Sequence, residues 1–206
     1  MVPDKVTGFV LAGGLSSRMG EDKSLMLFRG KPLIMYAIEA LSPLCEKIII
    51  SSNLLVYGFT GCDVWPDELP VKAPINGLYS CLKRSETDWN FMLTCDMPFT
   101  GSQLFAYLLE QVHGEDAVIP VHAQELVEPL CGLYNRSSLD VLEHQVQVEQ
   151  YGILKFLQSI RCRYVNIGPD QEFYNKEMFS NLNSPADLDM RNDSKQVTLP
   201  SKYRKS

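Results

Sequence analysis

Read along the chain, apolar residues rich in β-branched and aromatic side chains gather in short runs at residues 5–11, 46–51, 62–65, 89–94, 116–121, 129–134 and 162–167. Near-continuous runs of this kind fit strands buried on both faces, since a strand with one wet face would alternate. Between several of them the apolar spacing lengthens to a helical period. Residues 32–41 open on a proline, favoured in a first helical turn, and place Leu33, Ala37 and Leu41 on one side. Residues 76–85, 102–113, 137–149 and 151–159 show similar patterns. Strands alternating with helices predict βαβ units, hence an α/β fold in three layers: a mostly parallel twisted sheet, Rossmann-like, with helices on both faces. In such a sheet ligands sit at the carboxyl ends of the strands. The segment 129–134 (PLCGLY) fits either a local antiparallel strand or an insertion. One domain spans residues 1–190. Residues 191–206 are polar, lack apolar periodicity and read as a mobile tail.

Composition narrows the function classes. The 206 residues are 45% hydrophobic, enough for one sizeable core. A net charge of −6 argues against a nucleic-acid binder, although residues 18–31 concentrate Arg18, Lys23, Arg29 and Lys31. No apolar run reaches the length of a membrane span, and the first residues lack a charged-then-apolar leader, so a cytoplasmic protein is expected. Cys45, Cys62, Cys81, Cys95, Cys131 and Cys162 form no CxxC pair and read as free, mostly buried thiols. His113, His122 and His144 are scattered and read as packed or surface side chains rather than metal ligands.

The chemistry concentrates in residues 11–24, LAGGLSSRMGEDKS. A buried strand runs into Gly13 and Gly14, the hydroxyls of Ser16 and Ser17, then Arg18, Gly20 and Lys23. Glycines let backbone N–H groups approach an anion, and the cations add charge, so the segment is suited to phosphates. The spacing is neither that of a P-loop nor GxGxxG. In TCDMPF (residues 94–99), Asp96 stands at the carboxyl end of an apolar strand. There it suits Mg²⁺ held together with substrate phosphates, or alternatively a turn or helix cap. In WPDELPVKAPINGL (residues 65–78), Asp67 is a candidate acceptor for the N1 and N2 donors of guanine, on a loop that runs into a helix near Asn76 or Gly77. Ser51 and Asn53 at the end of the second core strand suit a base or ribose contact, or a turn. In NLNSPADL (residues 181–188), Ser184 or Asn183 fits a helix cap before Pro185, and Asn181 and Asn183 are candidates to face a metal or phosphates.

These motifs, in this order, resemble the molybdenum cofactor guanylyltransferases, members of the nucleotidyltransferases with a glycosyltransferase-A-like sheet. The resemblance spans residues 8–188, and LAGG in place of LAAG favours the guanylyl over the cytidylyl members. It implies transfer of GMP from GTP to the terminal phosphate of molybdenum-bearing molybdopterin, with Mg²⁺ as cofactor and pyrophosphate released. It implies that Leu11, Ala12 and Gly13 line the base, with Gly14, Ser16, Ser51, Asn53, Asp67 and Gly77 in the nucleotide site. Arg18 and Lys23 then bind phosphates, and Asp96 holds magnesium, with Asn183 as a further candidate ligand. The chain has APING at residues 73–77 where the family usually has PGPLAG. Expected partners are GTP, the molybdopterin acceptor, and molybdoenzymes or cofactor-delivery proteins. The alternatives are transfer of another base or to another acceptor, such as cytidylyl transfer or a sugar 1-phosphate, and a non-catalytic nucleotide-binding adaptor.

Overall fold

A computed structural model describes residues 3, 5–12, 22–123, 125–183 and 187. The elements follow the alternation. β1 (Val6–Leu11) is followed by a hairpin of β2 (Leu27–Phe28) and β3 (Lys31–Pro32), then α1 (Leu33–Leu41), β4 (Lys47–Ser51), β5 (Asp63–Trp65) and α2 (Pro74–Arg84). Then come β6 (Trp89–Thr94), α3 (Ser102–Glu110), β7 (Ala117–His122), β8 (Leu126–Val127), β9 (Cys131–Asn135), α4 (Leu139–Gln147), α5 (Ile153–Gln158) and β10 (Cys162–Asn166). α2 starts at Pro74, two residues before Asn76, because proline lacks the N–H that a first helical turn leaves unpaired anyway. The hairpin was not read from sequence. Its turn holds Arg29 and Gly30 at φ 51° and 78°, the left-handed geometry of the tightest hairpins.

The main sheet runs β10-β7-β9-β6-β1-β4-β5, with β8 added on β7. Pairings around β1, between β4 and β5, and between β7 and β10 are parallel. β9 is antiparallel to both β6 and β7, which settles the open reading of residues 129–134 in favour of the antiparallel strand.

β1 is buried along its whole length, as its apolar run predicts for a central strand. Its neighbours explain the layering. The chain steps from β1 through α1 to β4 in one direction, then from β5 through α2 back across β1 to β6. Right-handed crossovers in opposite directions put α1 and α2 on opposite faces. Accordingly α1 and α3 pack in one apolar layer with Val10, Ile50, Phe91 and Leu93. The helices α2, α4 and α5 pack in the other with Phe9, Ile49, Met92 and Tyr134. Each such side chain stabilises the fold by about 1.5–3 kcal/mol when fully buried. The reversal of direction at β1 opens a crevice at its carboxyl end, where open α/β sheets bind ligands.

Candidate active site

Three strand ends meet at that crevice. Leu11 is in register with Ser51 on β4 and Thr94 on β6. The Ala12 N–H donates to the Ser51 carbonyl at 3.0 Å, and the Cys95 N–H to the Leu11 carbonyl at 3.2 Å. Residues 12, 52 and 95 therefore leave the sheet side by side.

On the β4 side, Ser51, Asn53 and Asp67 form one cluster. The Ser51 hydroxyl donates to Asp67 Oδ1 at 3.2 Å. The Asp67 N–H donates to Asn53 Oδ1 at 2.9 Å, and Asn53 Nδ2 lies 3.5 Å from Asp67 Oδ2. Gly77, in the first turns of α2, faces the same place. A Cβ there would lie 3.2 Å from Leu11 Cδ2 and 3.6 Å from Ser51 Oγ, so any side chain would crowd Leu11 and the cluster. Asn76, which the sequence marked only as a departure from the family pattern, is buried and structural. Its Oδ1 accepts from the Leu69 N–H at 3.1 Å, and its Nδ2 donates to the carbonyls of Leu69 (2.7 Å) and Val71 (3.0 Å). With the Ser80 hydroxyl accepting from the Glu68 N–H at 2.8 Å, it staples the loop that carries Asp67 to α2.

On the β6 side, Lys23 reaches two partners distant in sequence. Its Nζ donates to Asp96 Oδ2 at 2.9 Å and to Asn183 Oδ1 at 2.7 Å. The pair is largely shielded, with 13% of the Lys23 side chain and 21% of the Asp96 side chain exposed. The segment bearing Asn183 is fixed by the Leu182 N–H on the Asp96 carbonyl (2.9 Å) and by the Thr100 hydroxyl on the Met178 carbonyl (2.8 Å). The alternative reading of Asp96 as a cap for the next helix fails, since α3 has Gly101 at its N-cap and no side-chain cap. Asn183 Oδ1 accepts from Lys23, and its backbone N–H donates to Asp187 Oδ2 at 2.9 Å. Gly13, Gly14, Ser16 and Arg18, with Ser184, Pro185 and the polar tail, lie outside the described residues.

Asp96 Oδ1 is buried and has no hydrogen-bond partner among the described residues. A buried carboxylate oxygen left unmatched is costly, and its chemistry fits a cation ligand. Among the described residues no group of three or more His, Cys, Asp or Glu side chains stands ready for a metal.

Sequence reading missed Tyr57, Asp22 and Ser24. Asp22 caps the short helical turn Lys23–Leu25 by accepting from the Ser24 N–H at 3.0 Å. Tyr57 is fully buried against that cap. A tyrosine inside the otherwise apolar run 54–59 gives no periodic signal of such a contact. Of the basic residues concentrated in residues 18–31, Lys31 is paired with Glu39, and the Arg29 guanidinium lies over the rings of Phe28 (4.7 Å) and Phe99 (5.9 Å). The cysteines are free thiols, as expected. Burial pushes the thiol of Cys95, next to Asp96, up to about 12, so it is no nucleophile near neutral pH.

The MobA-like NTP transferase domain model matches residues 8–164. A protein of Flavobacterium johnsoniae described as a probable molybdenum cofactor guanylyltransferase is 32% identical over 186 residues, covering 90% of this chain and 95% of its own. One from Geobacillus sp. with the same description is 32% identical over 194 residues, covering 90% and 97%. Among solved structures, molybdopterin-guanine dinucleotide biosynthesis protein A from Archaeoglobus fulgidus superposes with a TM-score of 0.75 at 24% identity, over 91% of this chain and 97% of that one. The 2-C-methyl-D-erythritol 4-phosphate cytidylyltransferase of Thermus thermophilus superposes with a TM-score of 0.67 at 11% identity, over 90% and 96%, which speaks for the fold alone.

Proposed function

The chain belongs to the MobA-like NTP transferase family, and from that premise we propose that it transfers GMP from GTP to the terminal phosphate of molybdenum-bearing molybdopterin. The observation that carries this reading is the meeting of Lys23, Asp96 and Asn183 beside the Ser51–Asn53–Asp67 cluster at one crevice. The first group suits phosphates and the second the edge of a base. Asp67 presents two carboxylate oxygens, and an Asp can accept the parallel N1 and N2 donors of guanine. Cytosine presents only one donor at its pairing edge.

The chemical problem is the approach of two anions. An oxygen of the acceptor phosphate forms a bond to the α-phosphorus of GTP. The bond from that phosphorus to the bridging oxygen breaks, and its electron pair leaves with pyrophosphate. The attacking oxygen is already ionised, so no side-chain base is required. Lys23, whose ammonium is divided between Asp96 and Asn183, would turn towards the α- and β-phosphates, where negative charge grows. Arg18 is proposed to grip the outer phosphates in fork geometry. Asp96, with Asn183 as a second oxygen donor, would hold Mg²⁺, which supplies Lewis-acid neutralisation of the phosphate oxygens. The dinucleotide product would pass to molybdoenzymes or delivery proteins.

The test is pyrophosphate release from GTP and Mg²⁺, with and without molybdenum-loaded molybdopterin, with CTP and ATP in parallel and a chelator arm. Release that needs GTP, acceptor and metal together supports the proposal. Release with CTP would move the activity to cytidylyl transfer, and GTP binding without release would mark a binding protein.

A further inference from the structure

The loop after β4 exposes Leu54, Leu55, Val56 and Phe59, yet turns Tyr57 completely inward. The Tyr57 ring lies in the apolar layer that includes Val10, Ala12, Ile34 and Ile38. Its hydroxyl lies among four polar groups. It donates to Asp22 Oδ2 in a short hydrogen bond, lies 3.0 Å from the Ser24 hydroxyl, and is 3.5 Å from both the Ser52 hydroxyl and the Ala12 carbonyl oxygen. A phenol has one proton, and a carboxylate is the strongest acceptor present, so that proton belongs to Asp22. The other Asp22 oxygen receives the Ser24 N–H at 3.0 Å and the Ser24 hydroxyl at 2.8 Å. Desolvation first, and Asp22 second, push the Tyr57 hydroxyl up to about 12, so it keeps its proton at physiological pH.

We propose that Tyr57 is a positioning residue for Lys23. Its hydroxyl holds the Asp22 cap beside Ala12 and thereby fixes the turn from which Lys23 reaches Asp96 and Asn183. Among the described residues the Tyr57 hydroxyl meets Asp22, Ser24, Ser52 and Ala12, and hydrogen-bonds to none of the Lys23, Asp96 and Asn183 side chains. It acts by fixing the carboxylate that begins the Lys23 turn. Without the phenol, the Asp22 carboxylate keeps, among the described residues, its two bonds to Ser24 and can rotate together with the turn it caps. The kinetic consequence rests on the proposed role of Lys23 at the phosphates, but the positioning itself does not.

The experiment compares the full chain with Tyr57→Phe and with Tyr134→Phe as a control. Tyr134 is equally buried, and its hydroxyl donates to the Pro129 carbonyl at 2.6 Å on the β9 side of the sheet. The rate at which an amine-reactive ester acylates Lys23 is read by mass spectrometry, and GTP-dependent pyrophosphate release is measured in parallel. Tyr57→Phe is expected to label Lys23 about tenfold faster and to lower kcat about tenfold with KM for GTP nearly unchanged, the scale of a lost hydrogen bond to a charged group. Tyr134→Phe is expected to leave both rates at the wild-type value. If Tyr57→Phe does not fold, Asp22→Asn carries the same expectations, and where both fold the double variant is no slower than Asp22→Asn alone. Unchanged labelling of Lys23, an equal change in Tyr134→Phe, or normal kcat in an active enzyme would overturn the proposal. Faster labelling in a protein whose wild type releases no pyrophosphate from GTP supports the positioning role and removes the proposed reaction instead.

Discussion

Lys23 is the residue on which most of the proposed chemistry depends, and its contacts set what its loss should do. Truncating it removes the cation facing Asp96 and Asn183 while leaving the apolar layers untouched. Lys23→Ala is therefore expected to fold normally by circular dichroism and to lose at least about a hundredfold in turnover, the scale for one transition-state donor. Near-normal turnover would exclude the role. At the other side of the crevice, Asp67→Asn replaces an acceptor pair by one acceptor and one donor. It is expected to reduce kcat/KM for GTP by about ten- to a hundredfold, because the proposed acceptor of two N–H groups would be left mispaired. Competition between GTP and other nucleoside triphosphates checks this, and unchanged preference for GTP would release Asp67 from the base. Residue types and motif order singled out Lys23, Asp67 and Asp96 as candidates beforehand, and the fold brings all three to the crevice. The partners of Tyr57 were not, since nothing in a local window links a tyrosine to a carboxylate 35 positions earlier.

At the level of elements, the helices and strands of the core fell close to their predicted spans, because burial on one or two faces imposes a period that a sequence displays. The connections did not. The loop between β5 and α2 is held by the carboxamide of buried Asn76, by the Ser80 hydroxyl and by Arg84, and only the fold reveals which groups they meet. Asn76→Ala leaves the Leu69 N–H and the carbonyls of Leu69 and Val71 without that partner. Its expected cost is about 1–3 kcal/mol in urea unfolding, with a raised KM for GTP as Asp67 loses its support. Unchanged stability would mean that water replaces the amide without penalty.

For the molecule as a whole, the amino-end edge of the sheet is closed by charge. Asp116, just before β7, accepts from the Arg161 guanidinium at 2.8 and 3.1 Å, from the Arg161 N–H at 3.0 Å and from Ser137 at 3.1 Å. Glu115 accepts from Arg163 on β10 at 2.8 Å. The Arg161 side-chain bonds, against a smaller desolvation effect, hold the Asp116 carboxyl below its ordinary value of 3.8. A lowered carboxyl favours the folded state while it is ionised. Its contribution is therefore present above 3.8 and disappears as pH falls through the lower folded value. Because Arg161 is largely exposed, solvent screens the pair, and Asp116→Asn is expected to lower the thermal midpoint by only about 2–4 °C at neutral pH. The gap to the wild type should close in strongly acidic buffer, whereas a gap independent of pH would assign the effect to packing. The described residues contain no helix long and apolar enough to cross a membrane.

The sequence by itself determined the α/β architecture, because apolar runs and helical periods are local consequences of burial. It also marked Lys23, Asp67 and Asp96 as candidates, because a glycine-rich segment with cations and a carboxylate at a strand end, taken together, suit phosphates and a metal. Tertiary structure alone decided which of them meet. It aligned Leu11 with Ser51 and Thr94, made the strand at residues 131–135 antiparallel, and brought Asn183 across 160 positions to Lys23. It also turned Tyr57 inward onto Asp22. Such contacts depend on crossover handedness and strand register, which are fixed by the packing of the whole sheet and not by any local run of residues.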